Sequence, residues 1–178
     1  MPLKITPFGD LKVLKHQIPA CNMIPNTSIQ RKPLLIYESV FPNATAFKIE
    51  SLLSDTGVVT PQWRATMYAM SHFHSMSHKV LSVTNGKATI CFGYEDNPGR
   101  IMRDIEKGDL IIIPAGVAHR LYAILEEGFE MDGSYSKGYN CDTCYGIPDE
   151  GWKIERIKEL PWFDLDPIYG DKGPVLDV

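Results

Sequence analysis

Gly108-Asp109-Leu110-Ile111-Ile112-Ile113-Pro114-Ala115-Gly116-Val117-Ala118-His119 is the stretch from which the fold can be read. Four apolar residues stand between a Gly-Asp pair and a Pro-Ala-Gly turn, the mark of a short strand bounded by breakers. The same texture repeats on both sides. Upstream lie Thr66 to His74, Val80 to Val83, Lys87 to Phe92 and Ile101 to Ile105; downstream lies Leu121 to Leu125. Asn85-Gly86 reads as a two-residue hairpin turn, and Asp96-Asn97-Pro98-Gly99 as a longer one. Many short strands at close spacing predict an all-β barrel or sandwich.

Histidines punctuate these strands. In an extended segment, residues i and i+2 project to the same face. His72 and His74 therefore face one way, as two imidazoles must to chelate one metal ion, and Tyr68 and Met70 share their parity. His119, at the end of the opening stretch, is the candidate third ligand. A lone histidine is more often a hydrogen-bonded core residue; a pair at this spacing plus a third after a turn favours metal.

The flanks differ from the core. The chain up to about Arg31 is rich in Pro and polar residues and reads as an arm lying on the surface or on a partner subunit. Pro33 to Tyr37 reads as a strand. Asn43 is a candidate N-cap for a helix carrying Phe47, Leu52 and Leu53 on one face, with Gly57 as its left-handed stop. From Pro148 the chain forms a second arm with a short helical segment around Ile154 to Glu159 and prolines at 161, 167 and 174.

The totals bound the function. The 178 residues suit one domain, 1–178, with a barrel core at about 34–136. Hydrophobic residues make up 44% and net charge is -4, with no basic run, which argues against nucleic acid or an anionic membrane as partner. The apolar runs are too short to span a bilayer, and Met1 to Cys21 shows no apolar leader core. Four cysteines are few for this length, so a reducing, cytoplasmic setting is expected. Cys141-Asp142-Thr143-Cys144 is a CxxC without the second pair a structural zinc needs, and the expectation is ordinary loop thiols.

Two segments together resemble the cupin motifs. Met70-Ser71-His72-Phe73-His74, position 79 and Gly86 resemble the first, an HxH pair followed by a Glu and a Gly. Gly108 to His119 resembles the second through its histidine, although Ala123 stands where an Asn is frequent. Nearly the whole chain is similar to the small single-domain YjlB-like cupins, through Ile24-Pro25-Asn26, Pro61-Gln62-Trp63-Arg64, the segment 72–78, Phe129 to Tyr135 and Asp166-Pro167-Ile168-Tyr169-Gly170. The resemblance implies a double-stranded β-helix (jelly-roll) barrel with arms and one or two short helices. It also implies a divalent metal in the barrel mouth, a small-molecule substrate and a homodimer.

The departure is Lys79, which occupies the position of the usual ligand Glu. A protonated lysine cannot bind a metal. Three outcomes follow: a three-histidine site of His72, His74 and His119; His78 as a fourth ligand; or a site without metal. Three imidazoles suit borderline metals, Fe, Zn, Ni or Cu, with Mn at lower affinity; Fe(II) is favoured through the dioxygenase reading, not by the ligands themselves. A metal-dependent dioxygenase is the leading function. The alternatives are a non-redox isomerase, epimerase or lyase, in which Tyr68, His78 or Lys79 serves as acid or base, and a non-catalytic small-molecule-binding protein. Lys79 carries a sharp reading, a desolvated base or Schiff-base nucleophile, and a simpler, preferred one, with its ammonium in solvent or on Asp132 or Glu130. Arg64 is open between holding a substrate carboxylate and a structural ion pair.

Overall fold

A computed structural model describes residues 3–178; Met1 and Pro2 of the N-terminal arm lie outside the described residues. Seven strands carry the fold: β1 (Lys12–His16), β2 (Leu34–Glu38), β3 (Val59–Ala65), β4 (Lys79–Phe92), β5 (Ile101–Glu106), β6 (Leu110–Ile113) and β7 (His119–Ser136). They form one antiparallel sheet in the order β1-β2-β6-β4-β7-β3, with β5 added on β4. Among the described residues no helix is long and apolar enough to cross a membrane.

Strand parity sorts the apolar residues into two layers. Leu34, Ile36, Leu81, Val83, Ile111 and Ile113 point to one side and pack with Ile90, Phe92 and Met131 as the barrel interior. Leu35, Tyr37, Val80, Leu110 and Ile112 point to the other side. There they meet Ile49 and Leu53 of α1 (Ala46–Thr56) and Phe163, Ile168 and Val175 of the tail. The sheet is thus buried on both faces, which is why its central strands read as continuous apolar runs rather than as alternation.

Three expectations change. Asn85-Gly86 makes no hairpin. β4 runs straight through it as a 14-residue strand, with register shifts around Asn85 where it crosses β7. Gly86 takes φ 69°, and a Cβ there would stand 2.9 Å from the Phe129 backbone, so the glycine serves a bulged corner at which the sheet folds over. The N-terminal arm contains a strand, β1, laid against β2, and Ile18 beyond it enters the interior. Thr66 to His74 is not a strand; the segment is held by two isolated bridges described below.

The helix starts later than expected, at Thr45 rather than Asn43. Leu53 faces inward as expected, joined by Ile49, while Phe47 points outward, 74% exposed. Gly57 ends it in the left-handed conformation at φ 68°, as its position suggested. The tail carries α2 (Gly151–Arg156) followed by a 3-10 turn at Ile157–Glu159. Ile157 packs under it on Ile24, Phe73, Ala118 and Cys144, which anchors the floor of the site.

Candidate metal centre

The HxH segment is clamped between two neighbours. His72 and the first residue of β7, His119, exchange both backbone hydrogen bonds, at 3.3 and 2.9 Å. Phe73 does the same with Cys144, at 2.9 and 2.8 Å. Phe73 is buried on one side, so His72 and His74 emerge together on the other. The i, i+2 logic holds locally although no regular strand forms.

The structure brings His72, His74 and His119 together, with one ligand atom of each lying within 4.8 Å of the others. Their ring centroids are 4.4 to 5.6 Å apart. Each ring is oriented by a backbone carbonyl. His72 Nδ1 donates to Met70 O and His119 Nδ1 to Val117 O, both at 3.0 Å, and His74 Nδ1 donates to Asp142 O. Those bonds fix the tautomer, leaving each Nε2 as a lone pair aimed at the common centre, the arrangement that metal-binding histidines adopt. His74 Nε2 is buried and has no hydrogen-bond partner. Burial lowers the pKa of all three, His72 below its usual value, His74 to about 3 and His119 far down, and the charge of Lys79 adds to the lowering in each. The imidazoles are therefore neutral at physiological pH. Three neutral imidazoles with anchored Nδ1–H groups and an orphaned buried Nε2 form a donor set that fits one borderline divalent ion.

Lys79 is inside, contrary to the preferred sequence reading. It shares the parity of Leu81 and Val83 on β4, so it faces the interior and is only 3% exposed. Its Nζ lies 3.1 Å from His119 Nε2 and 5.1 Å from the Trp63 ring centroid. Since His119 Nδ1 carries the proton, Lys79 donates to Nε2. Burial pulls the amine down to about 7. The carboxylates expected to meet it are engaged elsewhere: Arg64 binds Asp132 at 2.9 Å and Glu50 at 2.8 Å, with Glu130 at 4.0 Å. Arg64 is thus a structural ion-pair residue outside the cavity.

His78, open between a fourth ligand, an acid or base, and a residue packed outside the site, with the last preferred, takes that last place. With the opposite parity it points out of the barrel, where Nδ1 accepts from Ala115 N at 3.0 Å and Nε2 donates to Pro161 O at 3.1 Å. Its ring packs on Trp162 and Phe163. It is neither a ligand nor within the cavity. Tyr68 is 72% exposed at the mouth, its ring 5.5 Å from His72, and Met70 is exposed as well; neither fills the barrel.

The cavity lined by His72, His74 and Lys79 has a volume of about 360 Å³. Three residues around it escape a sequence reading. Trp63 lies flat across Gly133, where a Cβ would stand 2.1 Å from its ring, and its Nε1 donates to Tyr135 Oη at 3.1 Å. Tyr135 lines the wall, 5.5 Å from His74. Asp142 fastens the loop 137–146 to the HxH turn. Its carboxylate accepts from Ser75 N and Oγ at 2.8 and 2.6 Å and from Met76 N at 3.2 Å. The alternation Met131, Gly133, Tyr135 could have flagged Tyr135; nothing local flags Asp142. Cys141 and Cys144 are free thiols, Cys141 at the cavity and Cys144 buried.

A family model described as Cupin matches residues 36–133. The chain is 29% identical over 150 residues to the uncharacterized protein YjlB of Bacillus subtilis (strain 168), covering 77% of this chain and 88% of that one. Among solved structures, it is similar to procruciferin, an 11S globulin from Brassica napus (16% identity, TM-score 0.36), covering 71% of this chain and 30% of the globulin's length. It is also similar to acireductone dioxygenase from Bacillus anthracis with a cadmium ion in its active centre (14% identity, TM-score 0.37), covering 56% of this chain and 64% of that one.

Proposed function

We propose a function from one premise: the chain belongs to the cupin family. It is a metal-dependent enzyme acting on a small molecule, with His72, His74 and His119 holding one divalent ion. Fe(II) is the ion of choice and dioxygenation the reaction, with Zn, Ni or Mn as other occupants. The observation that carries this reading is the set of three Nδ1-anchored imidazoles with converging Nε2 atoms. Fe(II) held by three neutral nitrogens supplies redox chemistry toward dioxygen and leaves coordination positions for substrate.

The chain's own groups do the rest. The carbonyls of Met70, Val117 and Asp142 keep the imidazoles from rotating. Trp63 and Tyr135 exclude water from one wall of the cavity, and Tyr68 stands at its mouth as the residue a substrate meets first. Lys79 Nζ faces the cavity with a proton to give or hold. That placement favours a second reading, in which the metal is a Lewis acid for an isomerase, epimerase or lyase and Lys79 moves the proton. The resemblance also carries a homodimer, which light scattering on the purified protein checks.

Metal analysis by mass spectrometry on anaerobically purified protein, beside His72→Ala, tests the reading. Near-stoichiometric iron, lost in the variant, supports it. Near-stoichiometric zinc, nickel or manganese moves the reaction to the Lewis-acid reading. No metal after reconstitution overturns both and leaves a binding protein.

A further inference from the structure

Lys79 is the one charged side chain among the residues lining the cavity, and no carboxylate lines it. Its amine is buried, and it meets a neutral imidazole nitrogen and the face of Trp63, with the Cys141 sulfur near enough in the cavity lining to act on its charge. The acids closest to it in the β7 pattern, Glu130 and Asp132, are turned to Arg64 on the outer face. Buried cations in folded proteins are paired, because leaving water without a counter-charge is costly. Here the fold supplies the space for a counter-charge and, the Cys141 sulfur apart, no acidic side chain among the described residues to fill it.

The remaining wall narrows the partner. Trp63, Met67, Tyr68 and Tyr135 present aromatic and thioether surface around about 360 Å³, room for a single ring with a short substituent. A lone ammonium, with no arginine fork and no helix N-terminus beside it, suits a singly charged carboxylate rather than a phosphate.

We infer that this cavity takes a small carboxylate whose apolar body lies among Trp63, Met67, Tyr68 and Tyr135 and whose anionic end pairs with Lys79. The inference rests on the reading of the cavity as a small-molecule site and names its substrate class. A substrate of this class brings the negative charge that a Glu at position 79 would have contributed, so the lysine selects for substrates that carry it.

The test uses the full chain stripped of metal with chelator, so its outcome is independent of which ion the histidines hold. Benzoate and benzamide, alike in shape and different in charge, are titrated at neutral pH by calorimetry and by tryptophan emission, to which Trp152 and Trp162 contribute a background from outside the cavity lining. The expected result is a dissociation constant for benzoate lower than for benzamide by at least about tenfold, a preference abolished in Lys79→Met. Lys79→Gln is the second variant if Lys79→Met does not melt cooperatively. Equal affinity for the two probes, no binding of either at millimolar concentration, or a preference that survives in a folded variant overturns the inference. None of these results bears on the metal analysis, and a metal-free outcome there leaves this one standing.

Discussion

Replacing Lys79 with Met will strengthen metal binding. The perturbation removes the amine that donates to His119 Nε2 at 3.1 Å and keeps an unbranched side chain of similar volume against Trp63. An ion can bond to His119 only through the lone pair this hydrogen bond occupies. The competing bond is charge-assisted, worth about 1.5–3 kcal/mol net. Freeing it tightens the dissociation constant by about 10- to 150-fold, at 1.4 kcal/mol per decade. The measurement is Co(II) and Zn(II) titration against a chromophoric chelator, with the melting curve of each protein as the control for folding. An unchanged constant would show that Lys79 does not compete for the site. A weaker one would show that the neutral amine is itself a ligand, and the argument from the hydrogen bond would be wrong.

Other perturbations separate the site from its supports. His78→Ala removes the acceptor for Ala115 N and should lower stability by about 1–3 kcal/mol, while Co(II) affinity stays at the wild-type value; a large loss of affinity would put His78 back in the centre. Gly133→Ala places a Cβ about 2.1 Å from the Trp63 ring and should cost about 1–3 kcal/mol while shifting tryptophan emission; unchanged melting and emission would mean that Trp63 does not lie across Gly133. Burial raises the Asp132 carboxyl to about 6, against the opposing pull of Arg64. A folded value above the unfolded one stabilises the fold at low pH, and that contribution is lost as pH rises through about 6. Asp132→Asn should therefore gain stability relative to wild type between pH 4 and 7, by up to about 3 kcal/mol; a flat difference in melting temperature across that range refutes it.

The sequence was most legible where chemistry and periodicity coincide. His72 and His74 are set two apart, and His119 follows a strand and a turn whose lengths leave little freedom, so their meeting could be anticipated without a structure. The facing of His78 and Lys79 was harder to read. Val80 to Val83 is apolar or small at every position, because β4 is buried on both faces, and such a run gives no parity from which to extrapolate backward. Asn85-Gly86 misled for a related reason: glycine permits a reversal and a bulged corner equally, and the tertiary pairing with β7 chose the corner. Asp142 was invisible because its partners, Ser75 and Met76, are remote in sequence and met only through the loop.

The ladder between β4 and β7 runs, through several register shifts, from the pair Lys79–Tyr135 to the pair Phe92–His119, so Lys79 and His119 sit at opposite ends of one two-stranded ribbon. They touch only because the ribbon doubles back at its corner. Zipping the ribbon and closing the centre are therefore separate acts during folding. The ribbon can assemble by pairing between successive residues, whereas the imidazoles converge only once its two halves collapse on one another, a contact of high loop-closure cost. Ligand affinity for the three nitrogens is thus acquired at the end of the folding reaction. In refolding experiments metal capture should trail the far-ultraviolet signal of the strands and coincide with burial of the interior tryptophan.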